Sequence, residues 1–270
     1  MLAGTPSSTL PPTAALSPDT LAERAAAVLQ QAILAGDLAP DARLRIADLA
    51  RQFGIGATPL REGLSRLVSH GLVLASGQRG FRVAPMSRED LEDIVRARTV
   101  IELEALRLAM ARGDDLWEAQ IVACLHRMRR FTARSQQDFS EGVAEFDAVH
   151  KQFHTALIAA CGSPRLLEMH AMLYDQAYRY RRVMMTCFKL PATLDDEHQE
   201  LVDLVLQRQV EPACRKLAEH LASTILIVYP AGSDLADANK YKVINPEETT
   251  THEKPDEGPR RRRAGGRRRV

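Results

Sequence analysis

The run Leu44-Arg45-Ile46-Ala47-Asp48-Leu49-Ala50-Arg51-Gln52-Phe53-Gly54, followed by Thr58-Pro59-Leu60-Arg61-Glu62 and closing over Leu67 to Leu72, decides the fold. Its apolar spacing predicts a short helix over about Ile46–Phe53 stopped at Gly54, and a second from Thr58-Pro59 to Ser69 ended by Gly71. Leu60, Leu64, Leu67 and Val68 are the inward stripe of the second helix. Upstream, Leu21, Ala25, Val28, Leu29, Ala32 and Ile33 recur at helical spacing, an amphipathic helix opened by Pro18-Asp19-Thr20 and stopped at Gly36. Downstream the period changes. Leu72-Val73-Leu74-Ala75, a turn at Ser76-Gly77-Gln78-Arg79-Gly80, and Phe81-Arg82-Val83-Ala84 predict two short strands in a hairpin, closed by Pro85. Helices followed by a small hairpin, in this order, predict a winged helix-turn-helix.

Such a module braces one helix against a second that enters the DNA major groove, while the hairpin touches the backbone or minor groove. Thr58, Arg61 and Ser65 lie off the buried leucine stripe, and their hydroxyls and guanidinium suit phosphate and base-edge contacts. Arg79 and Arg82 in the hairpin suit phosphate binding, and Gly80 allows the backbone to approach closely. Arg45, at the head of the bracing helix, joins them as a candidate DNA contact.

Beyond Pro85 the helical period returns. Ser87 with Asp90 resembles a capping box, and six helices are predicted near 88–111, 114–134, 138–161, 164–188, 194–209 and 211–229. Gly113, Gly162-Ser163-Pro164, Pro191 and Pro212 mark the breaks. The fold class is mainly α: a winged helix-turn-helix over 19–85 and an antiparallel all-α bundle over 86–230. Residues 1–18, rich in Pro, Ser, Thr and Ala, predict a disordered arm, and 231–270 a disordered tail with arginine clusters at Arg260–Arg263 and Arg267–Arg269.

The net charge of +1, from 36 basic and 35 acidic residues, conceals this division. Residues 1–85 carry +2, residues 86–230 carry −4, and the tail carries +3. A near-neutral total therefore leaves room for a DNA partner recognised by local geometry. No apolar run reaches the roughly 18 residues of a membrane span, and the N-terminus lacks the pattern of a secretory signal. The cysteines Cys124, Cys161, Cys187 and Cys214 form no C-x-x-C pair and read as buried thiols of a cytoplasmic protein.

The bundle's histidines are its chemical signal. Phe146, Phe153 and Leu157 define the inner face of the 138–161 helix, and His150 and His154 project from it four residues apart, a spacing that lets two imidazoles meet one metal. His198 sits within the stripe Leu194, Leu201, Val202 and Val205, and His220 flanks Leu217, Leu221 and Thr224. A single inward histidine reads as core, but four from three helices would each need a buried partner. Arg98 and Arg181 also fall inward, Arg181 beside Tyr174 and Tyr178. Each fits either an internal ion pair, Glu102 being the candidate for Arg98, or bidentate capture of a carboxylate ligand. His170 reads as core or as a polar pocket group.

The quoted helix-turn-helix residues resemble the GntR superfamily of bacterial transcription regulators, and the six-helix region resembles the ligand-binding domain of its FadR-like, FCD branch. The resemblance spans about 20–229. It implies a homodimer on a pseudo-palindromic double-stranded operator, in the bacterial cytoplasm and associated with the nucleoid, most often as a repressor. It also implies an effector pocket built from Arg98, Arg181 and Tyr178, with the Arg98-to-Glu102 spacing and the Arg179/Arg181 pair pointing to a small carboxylate. Many FCD domains hold a divalent metal through an Asp or Asn, a following Phe-His and two later histidines. Phe153-His154, His198 and His220 match, while His150 stands at the acidic position. A four-histidine set of His150, His154, His198 and His220 tilts preference toward zinc, then nickel or copper, over manganese or calcium. Asp147 is placed as an outer group. A second departure is Gly56-Ala57, where the family usually has Ser or Thr then Arg, so one base-reading arginine is missing.

Two other classes compete. Asp147-x-x-His150 and Asp195-x-x-His198 resemble half of a di-metal carboxylate enzyme, which would also need bridging glutamates. An architectural protein binding DNA non-specifically through the arginine tail is the other. The winged helix-turn-helix favours a regulator that is not an enzyme.

Overall fold

A computed structural model of the chain describes residues 20–77, 80–134, 143–185 and 194–229. Helix α1 (Leu21–Ala35) opens on a reciprocal cap: Thr20 Oγ1 accepts from the Glu23 amide at 3.2 Å, and the Glu23 carboxylate accepts from the Thr20 amide at 2.8 Å. Its buried stripe runs through Ala22, Ala25, Leu29, Ala32 and Ile33, whereas Leu21 and Val28, expected inside, are 64% and 39% exposed. The reason lies in α3 (Ala57–Ser69). A Cβ on Gly63 would stand 2.8 Å from the Ala26 nitrogen and 3.1 Å from the Ala25 Cβ, so the two helices meet along a line of small residues. That close line rotates α1 away from the phase its larger aliphatics suggest.

Helix α2 (Ile46–Phe53) ends at Gly54, whose φ of 65° is left-handed and costs a glycine little. The wing is a sheet of β1 (Arg43–Leu44), β2 (Val73–Ala75) and β3 (Phe81–Val83), antiparallel throughout, in the order β1-β3-β2. The hairpin was expected; the added strand β1, which sets Arg43 opposite Arg82, was not. Gly80, at φ 91°, closes the turn.

Among the described residues six helices follow, with a turn of 3-10 helix at Ala159–Cys161: α4 (Arg88–Arg112), α5 (Asp115–Arg134), α6 (Val143–Ile158), α7 (Pro164–Met185), α8 (Leu194–Leu206) and α9 (Val210–Val228). Ser87 caps α4 by accepting from the Asp90 amide. The expected starts and stops at 138–142 and 186–188, the arm 1–18, the tail 231–270, Arg79 and Cys187 lie outside the described residues. The other cysteines are buried and free.

Among the described residues, buried side chains form two hydrophobic clusters. One fills the bundle from Leu91 to Tyr229, and the other fills the N-terminal module around Leu29, Leu49, Leu60, Leu64 and Leu67. Tyr174 and Tyr178 of α7 belong to the second cluster, so a bundle helix completes the core of the N-terminal module. Polar contacts follow the same path. Gln176 Nε2 donates to the His70 carbonyl at 2.8 Å, Arg179 Nη2 to the Pro85 carbonyl at 3.1 Å, and the Ser87 amide to the Tyr180 hydroxyl at 3.0 Å. Gln30 on α1 donates to Asp175 at 2.7 Å, and Asp175 also pairs with Lys151 on α6. Helix α7 is thus the shared element of both modules.

Candidate functional site

Helix α3 buries Leu60, Gly63, Leu64 and Leu67 and leaves Thr58, Arg61 and Ser65 exposed on one face. Spacings of three and four residues stack those three side chains along the helix. The Ser65 hydroxyl donates to the Arg61 carbonyl at 2.9 Å, which holds it on the helix while its lone pairs face out. Arg45 is exposed at the cap of α2, and Arg43 is exposed on β1. Among the described residues Arg43, Arg45 and Arg61 make no ion pair, whereas Arg82 is held by Asp41 at 2.8 Å and Arg66 by Glu23 at 3.3 Å. The helix face, the α2 cap and the added strand thus each offer an uncommitted arginine. Arg43 escaped the sequence reading because a two-residue strand has no periodicity to detect.

The four bundle histidines converge. His150 and His154 project from α6, His198 from α8 and His220 from α9, and one ring nitrogen of each lies within 4.8 Å of the others. His154 Nε2 lies 3.2 Å from His150 Nε2 and 3.2 Å from His220 Nε2. In a tetrahedral site with zinc–nitrogen bonds of 2.0–2.1 Å the ligand nitrogens stand roughly 3.3 Å apart. These edges fit that figure, and the donor set is one zinc accepts. Burial first, and the Arg181 charge next, push the His150 imidazole well below its ordinary range. Burial, then the neighbouring His150, does the same to His154. Neutral rings carry the lone pairs a metal needs.

The outer nitrogens have partners that favour this arrangement. The Tyr174 hydroxyl lies 2.7 Å from His150 Nδ1 and donates to Asp147 Oδ1 at 3.2 Å, so the consistent assignment has His150 Nδ1 donating to Tyr174. His220 Nδ1 lies 3.6 Å from Glu197 and His154 Nδ1 3.9 Å from Glu102. Glu197 biases His220 to carry its proton outward, and Glu102, beyond hydrogen-bond reach of His154, acts on that ring through its charge; both leave Nε2 free to coordinate. Asp147 is not a member of the histidine cluster; it accepts from Tyr174 and from Arg181 Nη2 at 3.1 Å, and burial raises its carboxyl despite that arginine. Asp195 accepts from Thr132 at 2.8 Å. Neither Asp-x-x-His pair therefore brings a carboxylate to the cluster.

The inward arginines flank one aromatic ring. The Arg98 guanidinium carbon is 5.1 Å from the Tyr174 ring centre and that of Arg181 is 4.7 Å away, with Tyr178 at 5.9 Å from Arg181. Arg98 is buried and donates from Nε to Glu102 at 2.8 Å, the internal ion pair that spacing allowed. Its Nη2 has no hydrogen-bond acceptor among the described residues. Burial works to raise the Glu102 carboxyl, but Arg98 and His170 outweigh it and hold it at about 2. His170 is a polar member of this knot, 3.1 Å from Glu102 and 3.3 Å from the Thr155 hydroxyl. Arg181 and Tyr178 stand together beside His150's outer partners, while Arg179, two residues along α7, turns toward Pro85. Local spacing names Glu102 as the partner of Arg98 and Tyr174 as a neighbour of Arg181, but it does not reveal that these two and Glu197 face the histidines across long stretches of chain.

Both modules of the chain are similar to known proteins. Residues 21–83 match the profile of bacterial regulatory proteins of the gntR family, and residues 93–223 that of the FCD domain. The chain is 39% identical over 208 residues to the HTH-type transcriptional repressor GlaR of Escherichia coli (strain K12), covering 75% of this chain and 93% of that protein. It is 35% identical over 204 residues to the uncharacterized HTH-type transcriptional regulator BphR of Paraburkholderia xenovorans (strain LB400), covering 76% and 83%. Among solved structures, E. coli McbR/YncC superposes with a TM-score of 0.64 at 26% identity, covering 78% of this chain and 97% of that one. These relatives are named regulators rather than enzymes. Among the described residues no helix is long and apolar enough to cross a membrane.

Proposed function

The chain belongs to the gntR family of bacterial regulatory proteins and carries an FCD domain, and from that premise we propose how it regulates transcription. It binds a pseudo-palindromic operator as a homodimer in the bacterial cytoplasm, and a small carboxylate effector held beside a divalent metal modulates that binding. One α3 per chain reads one half-site, so a two-fold operator calls for two chains. Arg61 makes the base contact, Thr58 and Ser65 support it, and Arg45, with Arg79 and Gly80 of the wing, positions the backbone. Repression is the direction supported by the name of the E. coli relative.

The observation that carries the effector reading is the four-histidine cluster with two guanidiniums at its side. His150, His154, His198 and His220 hold the metal, zinc as the first choice and nickel as the second. A metal bound there by the four imidazoles would supply a Lewis-acid position for one carboxylate oxygen only by taking it as a fifth ligand. Arg98 and Arg181 supply the opposite charge for the rest of the ligand, with Tyr178 ordering Arg181 through its ring. Glu102 and Asp147 keep both guanidiniums oriented.

The test is enrichment of duplexes from a random library by the full chain, followed by affinity measurement with Arg61→Ala. The reading requires a two-fold symmetric sequence that Arg61→Ala binds more weakly by about 1–3 kcal/mol while the variant stays folded. Enrichment of no sequence, or unchanged affinity in the variant, overturns it.

A further inference from the structure

Away from the histidines, one buried guanidinium has two nitrogens without a hydrogen-bond acceptor among the described residues. Arg179 on α7 is 5% exposed, and apart from the Nη2 bond to Pro85 its Nε and Nη1 have no acceptor among the described residues. The nearby carboxylate of Asp90 is engaged, accepting from the Tyr180 hydroxyl at 2.5 Å. Burial therefore acts to lower the basicity of Arg179, with Tyr180 and Asp90 opposing it only at a distance. A guanidinium keeps its proton in proteins, so its desolvation calls for an anion.

Arg179 forms part of the wall of a cleft of about 230 Å³ between the N-terminal module and the bundle. Leu74, Ala84 and Pro85 line it from one side, and Met86, Ile94 and Gln176 from the other, with Ser87 and Asp90 also on its wall, the Asp90 carboxylate accepting from Tyr180. The cleft is smaller than the pockets that hold drug-sized ligands, and most of its wall is aliphatic. One buried cation at an apolar wall is complementary to an acid with a short hydrocarbon chain.

We propose that this inter-module cleft is a second ligand site, taking a short aliphatic carboxylate whose head pairs with Arg179 and whose chain lies against Leu74, Met86 and Ile94. Its occupant touches both modules at once, so it fixes the DNA-binding module on α7 independently of the histidine pocket. An amine is excluded by charge, and bare phosphate would leave the aliphatic wall uncovered.

Calorimetric titration of the metal-loaded full chain tests this, with hexanoate as probe and hexan-1-ol and inorganic phosphate as comparisons. Hexanoate binds saturably, hexan-1-ol does not, and phosphate binds at least about tenfold more weakly. Arg179→Met weakens hexanoate about tenfold or more, and Leu74→Trp, at a half-exposed wall position, blocks it. Unchanged hexanoate affinity in the two variants, or no saturable binding to the parent chain, overturns the proposal. Phosphate binding as tight as hexanoate overturns the assigned ligand class. Should Arg179→Met fail to fold, Leu74→Trp decides between the outcomes.

Discussion

The Tyr174 hydroxyl stands 2.7 Å from His150 Nδ1 while the Tyr174 ring lies in the hydrophobic core of the N-terminal module. One side chain therefore joins the candidate metal ligands to the packing beneath the DNA-reading helix. Arg98 and Arg181 flank its ring, so a ligand that draws on either guanidinium also changes what Tyr174 packs against. This is a contiguous physical route between two sites, with its two arrangements to be established by the variants below.

Tyr174→Phe keeps the ring and removes the hydroxyl. Asp147 loses a donor and His150 its outer acceptor, at a cost of about 1–3 kcal/mol in folding stability. Metal affinity falls about 10–100-fold, since outer partners orient the ligand ring. Chemical denaturation and competitive metal titration check the two effects separately.

Arg61→Ala removes a fully uncommitted guanidinium from the exposed face of α3. Specific operator affinity falls by about 1–3 kcal/mol, and discrimination at one base pair relaxes. The unfolding midpoint stays where it was. Fluorescence anisotropy with operator and scrambled duplexes measures both, and equal losses on the two duplexes would reassign Arg61 to phosphate contact.

Stability of the metal-free protein falls on acidification in two windows. The depressed His150 and His154 imidazoles stay neutral in the fold, whereas an unfolded histidine takes up a proton near 6.5, so their contribution is complete above that pH and declines below it. Glu102, held at about 2 against an ordinary 4.5, contributes fully above 4.5 and progressively less as the pH drops toward 2. Urea midpoints measured from pH 8 to pH 3 should decline first below 6.5, and His154→Gln should flatten that first decline. A flat profile between 8 and 5 contradicts the buried, neutral state of the histidines.

Gly63→Ala gains roughly 0.5–1 kcal/mol of helix propensity but must fit a methyl 2.8 Å from the Ala26 nitrogen. Overpacking of this kind costs about 1–3 kcal/mol, and the contacting atom is backbone, which cannot swing aside. Net destabilisation of the N-terminal module is expected, read as a lower urea midpoint.

Much of this was legible before any coordinates. Helix α2 carries its own stop at Gly54, and the i, i+4 placement of His150 and His154 follows from helical geometry once α6 is assigned. His198 and His220 stood out because imidazoles interrupted two aliphatic stripes. What escaped was set by approach between distant segments. The phase of α1 is decided by Gly63 on another helix, β1 exists only because β3 lies beside it, and the partners Tyr174, Glu197 and Glu102 reach the histidines across chain separations that pattern alone cannot bridge. Arg179 and Arg181 looked alike in the sequence. The turn of α7 sends one toward Pro85 and the other toward Asp147.

The central claim is that four imidazoles hold one metal ion beside the Arg98–Arg181 pair. Elemental analysis of the extensively dialysed full chain, of His154→Ala and of His198→Ala tests it most directly. The account predicts one zinc ion per chain in the parent protein, or nickel in its place, and a metal content near zero in both variants. Full occupancy in either variant, or two ions per chain in the parent, would contradict it.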